Sequence, residues 1–259
     1  MDFAYPLCGF LVGALVGFTG IGGGSVMTPL LILVFGVHPL SAVGTDLLYA
    51  AVTKATGAKI HARRSNVDWR VVGYLAMGSV PGALATVIVI SRLPMHSPEL
   101  AHVVTVAIGV ALLLAAAGLL VGRGVEFETD LAGASSAGTS HDRPRMTVFL
   151  GFLLGVLVSL TSIGVGAIGI IVLRYLYPRL SAVRLVGSDI AHAVPLTLLA
   201  GSGHWLMGDV NWGILGSLLI GSIPGIVIAS CFAQHVPERV LRRTLGVVLI
   251  AVAAPMAAS

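Results

Sequence analysis

Apolar residues run in long blocks along the chain, with polar residues confined to short clusters between them. The blocks cover residues 3–18, 24–36, 41–60, 71–91, 100–121, 146–162, 167–177, 183–206, 212–234 and 240–257. A helix rises about 1.5 Å per residue and a bilayer's hydrocarbon core is about 30 Å thick, so blocks near 20 residues are each long enough to cross it. Two pairs differ, 3–18 with 24–36 and 146–162 with 167–177. Each is two short pieces joined by a glycine-rich break, at Gly20–Ser25 and at Ser162–Ala167. Pieces of that length suit half-helices that enter a membrane and turn back. The pattern predicts six full spans and two re-entrant hairpins.

The one extended polar segment runs from Gly122 to Arg145 and is rich in Gly, Ala, Ser and charge. It reads as a solvated linker. It divides the chain into a first membrane repeat (1–122), a polar cytoplasmic linker (123–145) and a second membrane repeat (146–259). The two flanks share ordered landmarks. Gly9-Phe10-Leu11 recurs as Gly151-Phe152-Leu153, and Thr19, Ile21, Gly22 and Gly24 recur as Thr161, Ile163, Gly164 and Gly166. One residue further out of step, Gly44-Thr45-Asp46 matches Gly187-Ser188-Asp189, and His61 matches His204. Gly78-Ser79-Val80-Pro81-Gly82 likewise matches Gly221-Ser222-Ile223-Pro224-Gly225. So many matches in one order indicate an internal repeat.

Charge sets the relative orientation of the halves. Lys59, Arg63, Arg64 and Arg70 follow the 41–60 block and belong inside by the positive-inside rule. The matching loop, His204 to Trp212, has no Lys or Arg and belongs outside. The reverse holds near 92–99, with only Arg92, against Arg239, Arg242 and Arg243 at the counterpart. The expected fold is therefore an all-α polytopic membrane protein of two inverted-topology repeats. Each repeat is a broken, re-entrant helical hairpin plus three transmembrane helices, and both termini lie outside.

Composition agrees with a lipid-solvated chain. Of 259 residues, 56% are hydrophobic and 10% charged, against about 25% charged in a soluble domain. That excludes an ordinary soluble fold and a disordered chain. The formal net charge of +4, with 6% aromatics, gives no basic-aromatic face for nucleic acid. Two cysteines far apart, Cys8 and Cys231, argue against a redox carrier. The first residues carry no Lys or Arg before the apolar block, so they read as mature protein rather than a cleaved signal.

Candidate chemistry gathers at the two breaks. Irregular backbone at membrane depth is tolerated where protein buries it or water lines it, and in inverted-repeat transporters broken helices meet near the midplane at the substrate. A helix N-terminus offers free N–H groups and about half a positive charge, which favours anions. Gly22, Gly23, Gly24 and Ser25 open one second half-helix; Gly164 and Gly166 open the other. Thr19, Thr28, Thr161 and Ser162 add hydroxyls. The alternative is that these glycines only permit close helix packing. Either Thr45 and Ser188 cap helix N-termini, with Asp46 and Asp189 favouring the positive dipole end, or the two aspartates carry protons by the cavity for coupling or gating. Lys54, about two turns after Asp46, either attracts an anion or reaches for the interface. His192 reads as a satisfied core histidine before a proton carrier, and His61 and His204 as interface residues. The two Ser-x-Pro-Gly segments read as kinks within spans. No H-E-x-x-H, clustered Cys/His, dinucleotide fingerprint in βαβ context or Walker motif occurs, so no metal, no cofactor, no catalytic residue and no enzyme activity are expected.

Gly-Phe-Leu-x-Gly, then Gly20-Ile-Gly22-Gly23-Gly24-Ser25, Pro29, Ala42-Val43-Gly44-Thr45 and both Gly-Ser-x-Pro-Gly segments resemble the sulfite exporter TauE/SafE family over nearly the whole chain. The resemblance implies a transporter in the bacterial inner membrane that moves small sulfur-containing anions such as sulfite, sulfoacetate or related organosulfonates, commonly by export. Joined to the residue reading, it makes Thr19, Gly22, Gly23, Gly24, Ser25, Thr45, Thr161, Ser162, Gly164, Gly166 and Ser188 the candidate substrate contacts. Asp46, Lys54, Asp189 and His192 are the candidate coupling or gating groups. The second half departs from the pattern, with Ile163-Gly-Val-Gly166 for the triple glycine and Ile171 where the first half has Pro29. An anion channel and an uptake permease for another oxyanion stay open as alternatives, as does assembly as a homodimer; nucleic acid is not an expected partner.

Overall fold

A computed structural model describes residues 3–19, 24–94, 97–121, 143–164, 166–232 and 238–257. Ten helices lie in these residues: α1 (Ala4–Thr19), α2 (Gly24–Leu33), α3 (Pro39–Arg63), α4 (Trp69–Ser91), α5 (Pro98–Val121), α6 (Pro144–Thr161), α7 (Ala167–Leu176), α8 (Ala182–Leu206), α9 (Trp212–Phe232) and α10 (Glu238–Ala257). They follow the apolar blocks closely. The linker at 122–142 lies outside the described residues.

Local chemistry sets several of the ends. Asp68 caps α4 by accepting from the Arg70 and Val71 amides, and Ser181 caps α8 by accepting from Arg184 N–H. Pro144 opens α6, where a missing N–H costs no helix bond. α3 and α8 close the same way, with Asn66 N–H on His61 O at 3.0 Å and Asp209 N–H on His204 O at 2.9 Å. The residue before each donor, Ser65 or Gly208, takes the left-handed conformation such a closure needs (φ 57° and 85°). α4 and α9 run unbroken through Pro81 and Pro224.

Among the described residues, five helices are long and apolar enough to cross a membrane: α4, α5, α6, α8 and α9. The set differs from the six expected spans in an instructive way. α6, expected as a short piece, has 18 residues, about 27 Å of helix. α3 has length to spare at 25 residues but carries Asp46, Lys54, Lys59 and Arg63. Protein rather than lipid surrounds much of it, since Leu40, Ala42, Val43, Thr45, Asp46 and Leu47 are fully buried. Burial against protein is what makes ionisable residues in such a helix tolerable.

Packing pairs α1 with α9, α4 with α6, α3 with α8 and α5 with α10. Glycines hold the first two pairs at backbone contact. A Cβ on Gly9, Gly13 or Gly17 would meet the Leu218, Ser222 or Ile226 carbonyl oxygen of α9 at under 3.0 Å. Gly151 and Gly155 of α6 stand in the same relation to Leu75 and Ser79 of α4. Such small-residue seams are how helices associate when lipid supplies no hydrophobic drive. The outer faces of α4 and α9 carry exposed apolar side chains, among them Met77, Ile88, Ile220 and Val227.

The two short helices fold back on their predecessors. The Thr147 and Tyr177 hydroxyls meet at 2.7 Å, joining the start of α6 to the residue after α7. Tyr5 and Phe35 stack with ring centroids 4.4 Å apart, joining the start of α1 to the residues after α2. α3, about 37 Å of helix at 1.5 Å per residue, runs from the mouth of the α1–α2 hairpin to the loop that packs on the start of α8. The two hairpins therefore open at opposite ends of the molecule.

Candidate functional site

The α6–α7 break is built from three left-handed residues, Ser162 (φ 60°), Gly164 (φ 133°) and Gly166 (φ 118°). Positive φ is costly for most side chains and free for glycine, which is why the break falls here. Thr161 steadies it, donating to Leu157 O at 2.7 Å while accepting from Ile163 N–H at 3.1 Å. On the other hairpin, Thr19 ends α1, and Gly24 and Ser25 open α2. Gly22 and Gly23 lie outside the described residues.

Asp46 and Asp189 are both fully buried, on α3 and α8. Thr28 of α2 donates to Asp46 Oδ2 at 2.5 Å, and the Ser162 hydroxyl faces the same carboxylate without closing a hydrogen bond. Asp189 turns to the first turn of α7. A Cβ on Gly169 would lie 2.5 Å from its Oδ1, the Gly166 amide points toward it, and neither oxygen has a partner among the described residues. A carboxylate at a helix N-terminus is favoured by the dipole. The end expected to take an external anion thus already faces an internal one. Lys54 is half-buried and within electrostatic reach of both aspartates, Asp189 more strongly.

Thr45 and Ser188 sit in the second turns of α3 and α8, so neither is an N-cap; Ser181 caps α8. Their hydroxyls accept backbone amides from the opposite half, Asn211 N–H at 3.1 Å for Thr45 and Asp68 N–H at 2.8 Å for Ser188. Gly44 and Gly187, one residue before, let the same loops approach. His192 is buried with Nε2 at 2.7 Å from the Ser79 hydroxyl. At the matched place the Tyr49 hydroxyl faces Ser222. Neither the Ser79–His192 bond between helices nor the facing of Tyr49 and Ser222 was anticipated, although Ser79 and Ser222 sit in the two Ser-x-Pro-Gly segments. His204, expected at an interface, is instead fully buried: Gly44 makes room for it, and its Nε2 meets Ser159 O at 2.9 Å.

Comparison with known proteins gives the family. The model of the family "Sulfite exporter TauE/SafE" matches residues 5–256. The "Probable membrane transporter protein YjnA" of Bacillus subtilis (strain 168) is 35% identical over 250 residues, covering 96% of this chain and 97% of that protein. A second from the same organism, "Probable membrane transporter protein YdhB", is 30% identical over 243 residues, covering 91% and 92%. A "Probable membrane transporter protein" of Xylella fastidiosa (strain Temecula1 / ATCC 700964) is 28% identical over 251 residues, covering 95% and 90%. No solved structure matches the chain. With its helices, its glycine motifs and these relatives taken together, the chain is a multi-pass membrane protein and transporter, not an enzyme, and it belongs to the TauE/SafE sulfite exporter family.

Proposed function

We propose that the chain is a secondary carrier that exports small sulfur-containing anions, such as sulfite, sulfoacetate or related organosulfonates, across the bacterial inner membrane. Two inverted repeats alternate access to a site at their broken helices. The observation that carries this reading is the exchange of partners between halves. α1 of the first half packs on α9 of the second, α6 packs on α4 in return, and the two hairpins open at opposite ends. Each hairpin therefore moves with the other half's helix, which suits one bundle rocking against another around a fixed centre.

Substrate contacts are assigned to the half-helix ends. In the second hairpin these are Thr161, Ser162, Gly164 and Gly166; in the first, Thr19 and Gly22 to Ser25. Thr45 and Ser188 flank the path, holding the loops that close over it. Charge then demands a companion for the anion. The described charged side chains at this centre are Asp46, Asp189 and Lys54, so an incoming anion meets net negative charge while both aspartates are ionised. Protonation of an aspartate relieves that repulsion, with His192 a further carrier along α8, and this couples proton and anion movement.

Counterflow in proteoliposomes tests the function. Vesicles loaded with unlabelled sulfite or organosulfonate should concentrate the labelled anion saturably. Ser162→Ala and Gly166→Leu should raise the half-saturation concentration by about ten-fold or more. Single-channel currents, or no flux of any sulfur anion, would contradict the carrier.

A further inference from the structure

A cavity of about 360 Å³ opens where the starts of α4 and α6 meet the α7–α8 loop, away from the helix breaks. Three arginines from these three places line it: Arg70, Arg143 and Arg179. Its one carboxylate, Asp68, is already engaged, capping α4 and pairing with Arg184 at 3.6 Å. The remaining wall is apolar and aromatic, with Val71 and Leu176 beside Tyr74 and Tyr175. Tyr175 is 76% exposed and the adjacent Trp69 64% exposed, the placing expected of aromatic side chains at a membrane interface.

We propose that this cavity binds a phosphate-bearing anion, the headgroup of an anionic phospholipid or a free phosphate. Guanidinium groups match phosphate oxygens in charge and fork geometry. The apolar wall and aromatic rim suit a headgroup that remains attached to acyl chains. The positive-inside rule puts this end in the cytoplasm, where the leaflet carries anionic lipid and basic pockets between helices take headgroups. Orientation alone asks only for cations near this end. It does not ask for three of them, from separate elements, around one hollow. The fold does not demand them either: the corresponding cavity at the opposite end, about 480 Å³ between Phe35–Ser41 and Gly208–Ile214, is lined by no Lys, Arg, Asp or Glu.

Thermal denaturation of the delipidated, full-length protein provides the test, with phosphatidylglycerol, phosphatidylcholine, inorganic phosphate and sulfite added separately. Phosphatidylglycerol should raise the midpoint saturably where phosphatidylcholine does not. Arg70→Gln with Arg179→Gln should weaken that response about ten-fold or more; Arg92→Gln, at the far end of α4, should leave it intact. A response to phosphatidylglycerol alone identifies the lipid as source, and an equal response to inorganic phosphate identifies free phosphate. The proposal is overturned if neither phosphate compound acts, if sulfite alone acts, or if the arginine variant responds like wild type. Loss of counterflow with the lipid response intact would instead count against the transport reading, so the two fail separately.

Discussion

Asp189 faces the first turn of α7 with both carboxylate oxygens unpartnered among the described residues, while its counterpart Asp46 holds the Thr28 hydroxyl. That difference makes Asp189 the better test of coupling. Lys54 is the cation within its reach, Asp46 shares that cation, and His192 lies a turn further along α8. Protonating Asp189 removes negative charge from the α7 end, so affinity for an organosulfonate, whose own charge is constant, should rise as pH falls. Asp189→Asn should hold the low-pH affinity throughout and flatten the profile, read by equilibrium binding across pH. A profile unchanged in the variant would remove Asp189 from coupling. Both aspartates were legible in the sequence because they follow Gly-Thr and Gly-Ser at similar distances after the two glycine-rich breaks. Their different neighbours were not. Nor was the occupation of Thr45 and Ser188 by loops, since those bonds join residues 166 and 120 positions apart. Local pattern carries no information about such partners.

At the scale of elements, helix positions were legible because each apolar block is bounded by a cap, a proline or a glycine. Asp68, Ser181 and Pro144 sit where α4, α8 and α6 begin. The relation of length to role was not. α6 is long enough to span, yet it ends at a break inside the protein, and apolar count does not distinguish these cases. The glycines of the two breaks were read as either ligand contacts or packing sites; the glycines along α1, α4, α6 and α9, a separate set, mostly stand where neighbouring backbone leaves no room for a Cβ. Gly13→Val should therefore push α1 off the Ser222 carbonyl and destabilise the fold by about 1–3 kcal/mol or more, as overpacking does. Gly216→Ala is the contrasting case. Nothing lies within 4 Å of the added carbon, so stability should hold or rise by up to about 1 kcal/mol. Denaturation midpoints of the two variants beside wild type decide it.

For the whole molecule, the Thr45 and Ser188 bonds, the Tyr5–Phe35 and Thr147–Tyr177 contacts and the turns at Ser65 and Gly208 come in pairs. Each member of a pair lies at the opposite end from its twin. Charge placement alone suggested that arrangement, and it is the premise of alternating access around the broken helices. The most direct measurement is side-specific labelling of the two matched turns. In a background with Cys8→Ser and Cys231→Ser, Ser65→Cys and Gly208→Cys are each exposed to an impermeant maleimide in membrane vesicles of known orientation. The inverted arrangement predicts Ser65→Cys labelled only in inside-out vesicles and Gly208→Cys only in right-side-out vesicles. Labelling of both from one face would contradict it.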